Sequence, residues 1–162
     1  MVKMKLKLSI LLLISIFFAG NTYAFNNEPE GFAQLKWGEV IQPSFNILYT
    51  SEAGSNKYDL CIKPGEKPTF IGETFDRMFY SFVNSRFFRV KYSKKDSKEF
   101  LGKLKEALKT NFGEEPKDES FEDIIKFRWI GKLVEVLLEY DSDEGEATLI
   151  ISSLKSSDYM NN

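Results

Sequence analysis

The chain contains no histidine and a single cysteine, Cys61. Those two counts narrow the chemistry before any fold is considered. A Ser–His–Asp or Cys–His relay, a histidine metal site and an imidazole pH switch all need a side chain that is absent. One cysteine cannot close a disulfide within the chain, so three roles are open to it: free thiol, link between copies, or buried packing group. Without an imidazole beside it, a catalytic thiol lacks its usual base. Cys61 stands between Leu60 and Ile62 in an alternating stretch, a setting that predicts a small buried hydrophobe.

Carboxylates are the remaining groups with chemical potential. Asp141-Ser142-Asp143-Glu144-Gly145-Glu146 resembles a calcium loop in composition only. Such a loop wants carboxylates at positions 1, 3 and 5, Gly at 6 and a bidentate Glu at 12. Here Gly falls at position 5 and Ser152 at position 12, so a solvated hairpin turn is expected. Glu114, Glu115, Asp118, Glu119, Glu122 and Asp123 form an acidic linker. Two of them at a fixed separation would serve as acid and base on a glycan, but nothing in the pattern fixes any pair. No S-x-x-K stands in the setting of a Ser–Lys hydrolase, and no glycine loop is built to cradle phosphate. The sequence therefore names no catalytic residue, no metal ligand and no cofactor.

The elements that must position any site are strands with one helix. Asp96 to Phe112 carries Phe100, Leu101, Leu104, Leu108 and Phe112 on one stripe, with Asp96 and Glu99 at its start and Gly113 at its stop. Residues 75–83 and 86–92 read as a hairpin closed by Asn84-Ser85, which sets Ser81 opposite Phe88 and Phe79 opposite Val90. Met78, Tyr80, Phe82 and Phe87 then share a face with Arg89 and Lys91. A second hairpin closed by Gly131-Lys132 places Ile125, Phe127, Trp129, Val134, Val136, Leu138 and Tyr140 on one face. Arg128 then lies directly opposite Glu135. Tyr58, Leu60 and Ile62 mark another strand after a turn at 52–56, Ile47 to Tyr49 a short one, and Glu39 to Pro43 a short helix. Ala147 to Ile151 makes the last strand. The expected fold is α+β: an antiparallel sheet of several hairpins with one dominant amphipathic helix packed on it.

Lys3, Lys5 and Lys7 precede an apolar run from Leu8 to Ala19, and Thr22-Tyr23-Ala24 offers small residues for cleavage. That pattern predicts a signal peptide over 1–24. The run is short of the roughly 20 apolar residues that a spanning helix needs, so no stable membrane span is expected after cleavage. One domain would follow over 25–151, with a frayed polar tail over 152–162. Loss of the three lysines takes the basic count from 22 to 19 against 24 acids. The resulting charge of −5 disfavours nucleic acid as a partner.

The segment Gly31-Phe32-Ala33-Gln34-Leu35-Lys36-Trp37-Gly38 is specified beyond simple packing. Trp37, with Phe32, is the candidate partner contact, since Trp concentrates in interface hot spots; the competing role is to lock the N-terminal segment over the core. The segment resembles a G-F-x-x-(I/L)-x-W-G opening in small exported bacterial proteins of unknown function. The likeness continues through aromatic hairpins, a Leu-striped helix ending in Phe112-Gly113 and a Trp-containing hairpin. It implies export and an α+β fold, and brings no activity. Together these readings predict a non-catalytic periplasmic or secreted module that binds an envelope protein. The alternatives are a carboxylate-dependent hydrolase of envelope polymers and a carrier with an apolar hollow under the helix.

Overall fold

The alternating segments pair into one eight-stranded antiparallel sheet. In the computed structural model, residues 27–32, 34–95, 98–113 and 116–160 are described; the signal segment 1–24 and the Asp96 cap lie outside them. The strands are β1 (Gly31–Phe32), β2 (Leu35–Lys36), β3 (Asn46–Ala53), β4 (Asn56–Ile62), β5 (Thr69–Phe70), β6 (Glu73–Thr74), β7 (Arg77–Val83) and β8 (Arg86–Lys95). After the helix α1 (Lys98–Phe112) come β9 (Lys117–Asp118), β10 (Ile124–Ile130), β11 (Val134–Asp141) and β12 (Glu146–Ser153). The order across the main sheet is β3-β4-β7-β8-β12-β11-β10-β9, while β1-β2 and β5-β6 form two small ribbons. The fold is α+β, as expected. Among the described residues no helix is long and apolar enough to cross a membrane.

All five stripe residues of α1 are buried, and the helix lies over β11 and β12. Glu99 and Lys103 pair at 2.8 Å on its outer side, and Gly113 ends it with an N–H donated to the Lys109 carbonyl at 2.8 Å. The rest of that sheet face is covered by aromatic rings from the ribbons and their connections. Phe70 stacks on Tyr92 at 5.8 Å, and Phe75 meets Tyr92 at 4.9 Å and Phe100 at 5.2 Å. Leu104 and Leu108 are fully buried. The helix stripe and the aromatic strands meet directly at Phe75 and Phe100.

Four expectations are corrected. Glu39–Pro43 is not helical: Val40 bridges Arg86, and Gly38, Ile41 and Phe87 exchange backbone bonds between this segment and the start of β8. Those bonds satisfy groups that a helix would have paired internally. In the first hairpin Asn84 and Ser85 both adopt positive φ, as a type I′ turn requires. The register then shifts, because Phe82 faces Phe87 but Ser81 faces Arg89. Phe88 is the extra residue of a bulge. Val90 and Tyr92 consequently join Tyr80, Phe82 and Phe87 in the core, and Arg89 and Lys91 turn to the opposite face. The bulge also lets adjacent phenylalanines be buried on opposite sides, Phe88 against Tyr58 at 6.4 Å.

In the second hairpin the loop is Lys132-Leu133, with Gly131 N–H bonded to the Val134 carbonyl. Ile130 faces Glu135 and Trp129 faces Val136, a slip of two residues that preserves every facing. Arg128 stands opposite Leu137 and reaches Glu135 diagonally at 2.9 Å. The tail is folded rather than frayed through residue 160, the last one described. Ser152 and Ser153 are buried in β12, and a 3₁₀ turn over Ser156–Tyr159 follows. The Tyr159 carbonyl accepts from Asn84 at 3.1 Å, and the Tyr58 hydroxyl bonds the Met160 sulfur at 3.8 Å.

Candidate functional site

The sheet has two unlike edges. β9 contributes two residues, a lysine and an aspartate, with Lys117 paired to Glu119 at 2.8 Å. Short, charged strands of this kind block pairing with another chain. β3 is the reverse: eight residues long, with the consecutive side chains of Ile47, Leu48 and Tyr49 exposed by 50%, 52% and 64%. Its only acidic residue is Glu52. A bulge between Ile47 and Tyr49 is its one irregularity, and Leu48, the extra residue there, stays exposed. Pairing with β4 uses half of the backbone groups of β3; the other half face outward.

The inner side of β3 is firmly anchored. Thr50 donates its hydroxyl to Asp59 at 2.6 Å, and Lys57 meets the same carboxylate at 3.3 Å. Asp59 is 2% exposed, so this partnered charge ties the hairpin β3-β4 together. Cys61, two residues along β4, is fully buried. Burial, helped by the Asp59 charge, pushes its thiol up to about 11. The neutral thiol is a packing group, as the alternation predicted.

Phe32 and Trp37 do not stand out from the surface. The Trp37 ring stacks on buried Phe87 at 4.8 Å, and its Nε1–H is donated to the Pro29 carbonyl at 2.7 Å. Phe32 packs on Trp37 and Phe70. Gly31 and Gly38 are needed to build this arrangement. A Cβ at Gly31 would overlap the Leu35 carbonyl, and Gly38, at φ 81°, lies under the Tyr159 ring. One edge of Trp37 remains, lining a shallow cleft of about 220 Å³ with Leu133 and Tyr159.

The face opposite the helix carries the charged residues, and a groove there is lined by Lys91, Glu139, Asp141, Glu144, Glu146 and Thr148. Each of its four carboxylates is engaged. Glu146 pairs with Arg77 at 2.7 Å, Glu144 with Lys95 at 3.7 Å and Glu139 with Lys126 at 3.8 Å. Asp141 accepts the N–H groups of Asp143 and Glu144 within its turn. The Asp141–Glu146 stretch is thus the hairpin turn that its composition suggested. Tyr80 donates to Glu66 at 2.6 Å. Burial and that bond raise Tyr80, and burial raises Tyr92, above the usual phenol range; both stay protonated as structural groups.

Comparison of the chain with models of known families, with curated proteins and with solved structures finds no match. The surface with the plainest unused capacity is β3, which the sequence pattern reduced to Ile47–Tyr49. Thr50, and the Gly54-Ser55 turn joining β3 to β4, were the available signals for its full length. Nothing local marks it as an edge.

Proposed function

We propose that the chain is an extracytoplasmic, non-catalytic binding module that takes an extended segment of an envelope protein on the free edge of β3. The observation that carries this reading is the exposure of Ile47, Leu48 and Tyr49 on a full-length strand whose outer side is unpaired among the described residues. Strand addition draws affinity from main-chain hydrogen bonds and selectivity from alternate side chains, and needs neither a deep pocket nor a reactive group. The basic segment, apolar run and Ala24 cleavage signal support export. The absence of histidine from the sequence supports a binding role over the commoner hydrolytic mechanisms.

The test is affinity capture of the tagged mature protein, residues 25–162, from native envelope extract, beside two variants. Leu48→Lys puts a charge on the free edge, and Lys91→Ala changes the far face without touching β3. Capture of one partner that is lost on Leu48→Lys and kept on Lys91→Ala is expected. A partner indifferent to Leu48→Lys but lost on Lys91→Ala would move the binding surface to the charged face and overturn the reading.

A further inference from the structure

We propose that, without another partner, the free edge of β3 is taken by β3 of a second copy, antiparallel, giving a two-fold dimer with one sheet running through both chains. The inference rests on the edge reading above and names its first occupant. Three features favour self-pairing. From Asn46 to Ser51 the strand carries no charge, so it can lie against its own copy without like charges meeting. In an antiparallel pair centred on Tyr49, the two Glu52 residues fall at opposite ends. They are roughly 20 Å apart at the rise of an extended strand, beyond the roughly 8 Å screening length of physiological salt.

The central residue also matches itself under this symmetry. Tyr49, which lies with Leu60 on the face away from the helix, meets the Tyr49 of the second copy. Ile47, on the helix side with Cys61, falls opposite Ser51, so no charged side chain stands opposite either apolar one. Every neighbouring pair in the sheet is already antiparallel, and the added pair continues that pattern. Assembly then stops. The other edge, β9, has two charged residues and cannot template a third copy, so a self-complementary edge closes at two instead of growing into a fibre. The second copy and an envelope segment compete for the same backbone groups, which makes the dimer the partner-free form.

The experiment is sedimentation velocity on the mature chain from low to high micromolar concentration, with Leu48→Lys and Tyr49→Cys alongside. The mass should rise from one copy to two and no further. Leu48→Lys removes two half-exposed leucines from one interface and places two ammonium groups there, so the dissociation constant should rise roughly tenfold or more. Its far-ultraviolet circular dichroism spectrum should match that of the parent. Mild oxidation of Tyr49→Cys should give a covalent dimer, since Cys61 is buried and cannot compete. A monomer across the whole range, growth past two copies, or a dimer untouched by both substitutions would overturn the proposal. A monomer that nonetheless loses its envelope partner on Leu48→Lys would overturn the second copy alone and leave the edge reading standing.

Discussion

The turn Lys132-Leu133 is held by a residue far away in sequence, and that dependence can be measured. Glu28 accepts the backbone N–H of Lys132 at 2.6 Å and of Leu133 at 2.5 Å. A Cβ on Gly131 would overlap the Glu28 carboxylate. Hydrogen bonds to charged groups contribute about 1.5–3 kcal/mol each. The turn is partly open to water, which recovers some of the loss, so Glu28→Ala should cost about 2–3 kcal/mol in total. For a domain of this size that corresponds to roughly 8–12 °C in Tm. Gly131→Ala alone should cost a similar amount by pushing the carboxylate off the turn. The backbone at Gly131 is not in the left-handed region, so alanine is otherwise acceptable there. With Glu28 already gone, Gly131→Ala should become neutral or stabilise by about 0.4–1 kcal/mol through the unfolded chain. Urea unfolding of the four proteins in the cycle would show this reversal of sign. Additive costs, within about 0.5 kcal/mol, would refute the clamp.

Further outcomes follow from the same geometry. Trp37→Ala should destabilise by about 3 kcal/mol, whereas Trp37→Phe, which keeps a ring on Phe87 but loses the bond to Pro29, should cost about 1 kcal/mol; equal effects would separate Trp37 from the packing role. Cys61 should be inert to a disulfide thiol reagent in the folded protein and react fully in denaturant; rapid reaction of the native protein would contradict its burial. The folded-state values of Cys61, Tyr80 and Tyr92 all lie above their unfolded ones. Their stabilising contribution is therefore complete below about pH 9 and declines as pH rises toward 11 and beyond. Each group loses up to about 1.4 kcal/mol per pH unit across its window. Unfolding curves flat from about pH 8 to about pH 11 would refute that assignment.

What the sequence carried was facing and periodicity. The stripe of α1 and the apolar set Ile125 to Tyr140 were legible because burial repeats with the period of the element. Register was not, because it was decided by groups that the local pattern cannot see. The second hairpin closes two residues off the expected pairing where Glu28 occupies its turn. The first slips by one at Phe88, where a bulge buries two adjacent rings that strict alternation would have split between core and surface. Phe32 and Trp37 were legible as special but ambiguous in role, since a buried clamp and an exposed anchor call for the same residues. The difference lies in Pro29 and Phe87, which supply the partners for the indole.

The open edge follows from topology rather than composition. β3-β4-β7-β8 and β9-β10-β11-β12 are two meanders that meet through their last strands, β8 and β12. That junction sends the first strand of each meander to the outside. The helix α1 lies over β11 and β12, and the aromatic ribbons cover the centre around Tyr92 and Phe87. Among the described residues no element pairs with the outer side of β3. At β9 the exposure is harmless, because two charged residues end the sheet. At β3 the same position in the other meander holds eight residues and three exposed apolar side chains in a row. An exposed strand of that kind is a template for pairing with another chain, and this is the physical reason the proposed binding surface is placed on it.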